Sequence, residues 1–327
     1  VSRFCTAALF FVALQLYGAP RRVLYVTHTA GYRHDSIPAS QEAMRAVAAR
    51  SGTLEIVATE DLAFLTAEGL RGFDALFFFT SGELALSDAQ KRDLLAFVRD
   101  GKGFGGAHSA TDTLYSWPEY GDLIGAYFDG HPWVHEVGIN VEDPDHPATK
   151  RLGNAFRIID EIYQFRAFSR DRTRVLFTLD ERSVDLSKPD VRGAAGEFPL
   201  AWCRSYGNGR VFYTALGHGD GTWMDSRFQD MLEGALLWLA GEAPGDAMPR
   251  RASPVVAGVR QVGDYIEIYG TGLTSGSTAI AQEGLWRLAG AAVTMDGERL
   301  RVVYASPVQV NAALGGKPLG TVAVAAP

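Results

Sequence analysis

The sequence predicts an α/β domain with a mainly parallel sheet flanked by helices, followed by a small all-β sandwich. Two features carry that expectation. Up to about residue 110, continuous apolar runs alternate with helical periodicities, the pattern of strands buried on both faces of a parallel sheet. Beyond a stretch rich in Gly, Pro and Ala at 241–254, only short alternating segments separated by glycine turns remain, and no helix of length fits.

The elements follow in order. Val23 to Thr27 reads as the first strand, and Ser36 then Pro38 open a helix through Arg50 in the cap-then-proline order. Leu54–Ala58 and Asp74–Thr80 read as strands two and three. Ser87 caps a helix whose Leu94, Leu95 and Val98 share one face. Gly103–His108 reads as a short, glycine-rich fourth strand. From Tyr115 to about Phe168 the pattern is irregular and aromatic, with alternation at Val137, Ile139 and Val141. Val175–Leu179 is a further strand, and Gly207-Asn208-Gly209 joins the two strands Pro199–Ser205 and Arg210–Leu216 as a hairpin. A last helix is expected from Asp225 to Leu239, with Met231, Leu232, Ala235, Leu236 and Leu239 inward.

The chain has 327 residues, 47% of them apolar and 21% charged, which suits two globular domains. A formal charge of -7 without any Lys/Arg cluster argues against a nucleic-acid partner. Arg3, the apolar run Phe4–Leu16 and then Gly18-Ala19-Pro20 have the layout of a signal peptide over 1–19, too short for a stable membrane span. The expected location is therefore periplasmic or secreted. The expected domains are 20–241 and 254–327, with a linker at 242–253. Of the two cysteines, Cys5 falls in the signal, so Cys203 is left alone and reads as a buried, inert thiol beside Trp202.

In a parallel sheet, ligands bind outside the carboxyl ends of the strands. That rule selects the loop holding His28 and His34, the segment Thr80-Ser81-Gly82-Glu83, His108-Ser109 and, after the hairpin, His218. Several histidines then converge on one edge. His28 either points into this site or caps its strand. His146, flanked by Pro and near Asp143 and Asp145, reads as surface turn chemistry, and His135 as a core-edge residue.

Thr27–Ile37 (THTAGYRHDSI), Gly105–Thr113 (GGAHSATDT), Gly130–Trp133 (GHPW), Asp160–Phe165 (DEIYQF) and Leu200–Trp223 together resemble the ThuA-like (trehalose-utilisation) family over about residues 21–241. That resemblance implies a fold similar to class I glutamine amidotransferases and a role in the uptake and breakdown of disaccharides. The C-terminal segments Ile268–Leu273 and Tyr304–Asn311 resemble an Ig-like module of secreted bacterial proteins.

The amidotransferases that the resemblance brings in place a nucleophilic Cys on the turn after the glycine-rich strand. Here that turn reads Gly105-Gly106-Ala107-His108-Ser109, and without a thiolate glutaminase chemistry is excluded. Ser109 is either a substitute nucleophile with His218 as base or a helix cap. His108, His34 and Glu161 are the expected catalytic residues. His34, His108, His131 and Glu161 are the expected ligands of a divalent metal, zinc or similar, since two or three His and one carboxylate suit a catalytic ion. A metal-free His/Glu acid–base pair needs the same residues. Trp133, His131, Ser81, Tyr163 and His218 are the expected substrate contacts. Aromatic faces stack on sugar rings, so the expected ligand is a small-molecule carbohydrate; the competing reading of these aromatics is core packing. The expected activity is hydrolysis, elimination or isomerisation of a sugar derivative, with a non-catalytic carbohydrate-binding protein as the alternative.

Overall fold

The computed structural model describes residues 19–192, 198–249, 254–274, 278–286, 288, 291–306 and 308–325. The expected signal peptide lies outside them apart from Ala19. No helix among the described residues is long and apolar enough to cross a membrane.

The first part of the chain runs β1 (Arg21–Val26), α1 (Ile37–Ser51), β2 (Leu54–Thr59), α2 (Ala67–Leu70), β3 (Ala75–Phe78), α3 (Asp88–Arg99) and β4 (Gly103–Ala107). It continues through α4 (Pro118–Ile124), β5 (Tyr127–Phe128), β6 (Trp133–Val141), β7 (Ala155–Ile162), β8 (Phe165–Arg166) and β9 (Arg174–Asp180). β10 (Pro199–Tyr206), β11 (Gly209–Thr214), α5 (Asp220–Met224) and α6 (Ser226–Leu239) complete the domain. Nine strands form one sheet in the order β2-β1-β3-β4-β11-β10-β9-β6-β7.

The expectation of a mainly parallel sheet needs correction. The five strands from β2 to β11 pair in parallel. From β11 to β7 every pairing is antiparallel. The reason lies in the connections. A parallel neighbour needs a crossover long enough for a helix, whereas the two-residue hairpin at Gly207-Asn208 and the helix-free stretch before β7 allow only antiparallel return.

Burial of the parallel half on both faces explains its apolar runs: Val23–Val26 and Ala75–Phe78 are inaccessible. On β4, a Cβ at Gly103 would collide with Leu239 of α6 and one at Gly105 with Phe77 and Leu239, while one at Gly106 would meet Ala110 and Ile124 at the other face. Glycine there lets a helix pack close on each side of the strand. Ser87 caps α3 as expected, with Gln90 completing a reciprocal capping box. Ser36 does not cap α1; its hydroxyl donates instead to the His218 carbonyl at 2.7 Å.

Part of the expected linker is packed down. Glu242 pairs with Arg21 at 2.5 Å, the Trp238 indole donates to the Gly245 carbonyl, and Arg174 reaches both Asp246 and the Met248 carbonyl.

Beyond it, β12 (Val255–Val262), β13 (Tyr265–Thr271), β14 (Ala279–Leu285), β15 (Ala292–Met295), β16 (Glu298–Ala305), β17 (Gln309–Ala313) and β18 (Val322–Ala325) form a separate antiparallel sheet. Its order is β12-β13-β17-β16-β15-β18 with β14 beside β16, and β18 returns towards β12. Ile266, Ile268, Val293, Val302 and Val310 form its own apolar core. Its described residues include no helix, as the sequence predicts.

Candidate functional site

His108 is the centre of the arrangement. It follows β4 with a left-handed backbone (φ 46°), a strained conformation for a residue with a side chain. Its carbonyl accepts the Tyr213 hydroxyl at 2.7 Å, which pins the turn. Its Nδ1 lies 2.8 Å from the Ala215 carbonyl, an acceptor only, so Nδ1 carries the proton and Nε2 presents a lone pair. Tyr163 packs on the imidazole with ring centroids 4.1 Å apart.

The other groups arrive from separate elements. His34 sits in the loop after β1, His218 in the loop after β11, and Glu161 near the end of β7. The loops brace one another: Ser81 accepts the N–H groups of Ala30 and Gly31 at its carbonyl and donates its hydroxyl to the Tyr32 carbonyl. One ligand atom from each of His34, His108 and His218 lies within 4.8 Å of the others.

Three donor atoms form a nearly equilateral triangle. His108 Nε2 and His218 Nδ1 are 3.3 Å apart, and each is 3.4 Å from Glu161 Oε2. The other Glu161 oxygen is 3.3 Å from His131 Nδ1. Charge-assisted hydrogen bonds close to about 2.7–2.9 Å, so these edges are long for hydrogen bonding. They match the ligand–ligand edge of a tetrahedron with bonds of about 2.0–2.1 Å, which is roughly 3.3 Å.

An ionised Glu161 and a neutral His34 are the protonation states that cation ligation requires of them. Burial would raise the Glu161 carboxyl, but the His108 and His218 imidazoles beside it outweigh burial and hold the group well below the usual carboxylate range. Burial, helped by the neighbouring imidazoles, lowers His34 to about 3, so its ring is neutral at pH 7. The Glu161 carboxylate beside it raises His218.

Asp160 organises the backbone behind these groups. Its Oδ2 accepts from Gly217 N at 2.7 Å, and its Oδ1 accepts from His218 N at 3.1 Å and Glu161 N at 2.9 Å. It is not among the residues that the strand-end rule selects. The available signal was an acid in the buried face Ile158–Asp160–Ile162, where strand alternation calls for an apolar residue.

Of the expected residues, His34, His108, His218 and Glu161 come together, with His131 at the exposed border. Three expected substrate contacts are placed differently. Trp133 is wholly buried, with its ring against Phe198 and its indole N–H on the Asp185 carbonyl. Ser81 spends its hydroxyl on the loop, and Tyr163 is buried between His108 and Phe128. His218 takes the place in the histidine cluster that the sequence reading gave to His131.

The remaining histidines lie apart. His28 binds the Glu60 carbonyl, and His135 is exposed instead of at the core edge. His146 is not at the surface: it is buried beside Trp238, and its Nε2 has no hydrogen-bond partner. Cys203 is buried, its thiol pushed up by burial and directed to the Asp246 carbonyl at 3.7 Å, far in sequence from the turn an amidotransferase thiol would occupy.

A cleft of about 250 Å³ opens beside the cluster, lined by Tyr32, His34, Asp35, Ser36, His218, Gly219 and Asp220. Fold and site together define an α/β protein with a histidine–carboxylate cluster at the strand ends.

The sequence pattern of the ThuA family, described as trehalose utilisation, matches residues 22–239, and the chain belongs to that family. Among solved structures it is similar to a ThuA-like protein from Bacteroides uniformis, at 22% identity and a TM-score of 0.55, covering 68% of this chain and 92% of that one. A ThuA-like protein from Parabacteroides merdae is similar at 21% identity and a TM-score of 0.56, covering 71% and 96%. None of the curated proteins matches the chain. A carbohydrate-related role fits the family.

Proposed function

We propose that the chain is an exported enzyme that acts on a sugar or glycoside derivative with a divalent cation, zinc or similar, held by His34, His108, His218 and Glu161. The observation that carries the reading is the donor triangle with edges of 3.3, 3.4 and 3.4 Å, closed by a neutral third imidazole. A cation held there supplies a Lewis-acid centre for a hydroxyl or carbonyl oxygen of the substrate. His108 would hold it through Nε2, since the Ala215 carbonyl fixes its tautomer, and Asp160 holds the His218 loop in place. Glu161 Oε1 and the half-exposed His131 form a path by which a proton can pass between the cluster and solvent. Hydrolysis, elimination and isomerisation all use these parts.

The test is metal analysis of purified protein together with zinc titration by calorimetry, followed by assay against a panel of disaccharides and oxidised glycosides. One equivalent of bound zinc and zinc-dependent turnover are expected. Protein that takes up no divalent metal defeats the metal centre. Sugar binding without turnover selects the alternative, a carbohydrate-binding protein. That alternative draws on the cleft itself, which needs no chemistry to hold a ring. The Ig-like resemblance of 254–327 fits an attachment role for the C-terminal module.

A further inference from the structure

The aromatic residue exposed beside the histidine cluster is Tyr32. It is 62% exposed, and its ring meets His34 edge-on at 4.8 Å. Its main chain is held by the Ser81 hydroxyl, its ring rests against His34 and the residue lines the cleft, so the ring is a positioned surface. The same cleft is lined by two exposed carboxylates, Asp35 and Asp220, and by no lysine or arginine. Arg33, the nearest guanidinium in sequence, is engaged with both oxygens of Glu60 at 3.1 and 2.7 Å.

The geometry points to a subsite for one neutral sugar ring, stacked on Tyr32 with its hydroxyls on Asp35 and Asp220, that turns away phosphorylated and uronic sugars. This rests on the sugar reading above and specifies its substrate class. The cleft volume of about 250 Å³ lies below the ~300–1,000 Å³ of sites that enclose drug-sized ligands, so one ring enters and the remainder of a larger glycoside stays outside. An aromatic face supplies apolar contact for the C–H face of a ring. Carboxylates accept hydroxyl hydrogens in charge-assisted bonds and repel anions. Glu161 offsets part of the charge of a divalent cation at the histidines, and Asp35 and Asp220 stand on the cleft side.

The test is calorimetric titration of the zinc-loaded full chain with neutral methyl hexosides (gluco, galacto and manno), their 6-phosphates and the corresponding uronates. At least one neutral hexoside should bind about tenfold or more tightly than its charged analogues. Tyr32→Ala should weaken that hexoside about tenfold, a loss of the size expected for an aromatic contact, while zinc affinity is unchanged and Tyr32→Phe retains binding. Asp35→Asn combined with Asp220→Asn should narrow the discrimination against the phosphate. Equal or tighter binding of the phosphorylated sugar overturns the charge selection. Full hexoside affinity in Tyr32→Ala overturns the platform and leaves the sugar reading standing. Failure of every sugar to bind defeats the sugar reading, and this subsite with it.

Discussion

Replacing His218 by alanine separates the proposed metal centre from the fold that carries it. His218 is about one-third exposed, whereas His108 is wholly buried and its truncation would also orphan the Ala215 carbonyl. The substitution removes one corner of the 3.3–3.4 Å triangle. Loss of a group that only orients a ligand weakens metal binding about 10–100-fold, so loss of the ligand itself should cost 100-fold or more. At zinc a hundred times above the wild-type Kd, binding stabilises the native state by about 2.7 kcal/mol, and a hundredfold weaker site retains about 0.4 kcal/mol. For a domain of this size, roughly 2–4 °C per kcal/mol, zinc should raise the wild-type Tm by about 5–11 °C and the variant's by about 1 °C. Differential scanning with and without zinc reads this directly, with His28→Ala as control because His28 binds the Glu60 carbonyl away from the cluster. An unchanged zinc shift in the His218 variant would refute the assignment.

Three further outcomes follow from the same contacts. Burial lowers His146 to about 4 against about 6.5 in the unfolded chain, so stability present above pH 6.5 is lost as pH falls towards 4. Its share between pH 7 and 5 is about 2 kcal/mol. The His146 Nδ1 accepts Ala148 N–H at 3.2 Å, a bond the carbonyl of His146→Asn can still accept, and urea unfolding of that variant should show that much less loss than wild type. Asp160→Ala deprives the Gly217, His218 and Glu161 N–H groups of their acceptor, and zinc titration should show about 10–100-fold weaker binding. Gly234→Ala places a Cβ 1.9 Å from the Pro147 carbonyl oxygen, which should destabilise the domain by about 1–3 kcal/mol or more in denaturant titration.

The parallel half of the sheet was legible because burial on both faces writes itself as unbroken apolar runs, as at Val23–Val26 and Phe77–Phe79. The site was legible in part for a related reason: loops after parallel strands share an edge, and this alone brings His34, His108 and His218 together. The antiparallel half was harder to read. Its strands β6 and β7 mix exposed and buried residues without strict alternation, as at Val134-His135-Glu136. Trp133 was misread because an aromatic next to histidines looks the same in sequence whether it faces a cleft or a core. Only the contact with Phe198 and the indole hydrogen bond to Asp185, 52 residues away, distinguish the two. The exposed Tyr32 lies inside a strongly patterned segment, THTAGYRHDSI, yet nothing in its spacing distinguishes a surface ring from a buried one.

The seam formed by Glu242, Gly245, Asp246 and Met248 moves the end of the first folding unit. A chain cut at Gly241 would strip the acceptor from the Trp238 indole and remove Asp246 and the Met248 carbonyl from Arg174, which is itself almost buried. It would also free Arg21, at the very start of the sheet, from Glu242. Both ends of the α/β domain are therefore fastened by the same seven residues, and a fragment meant to fold alone has to carry them. Severing the chain after Met248 keeps every one of these bonds.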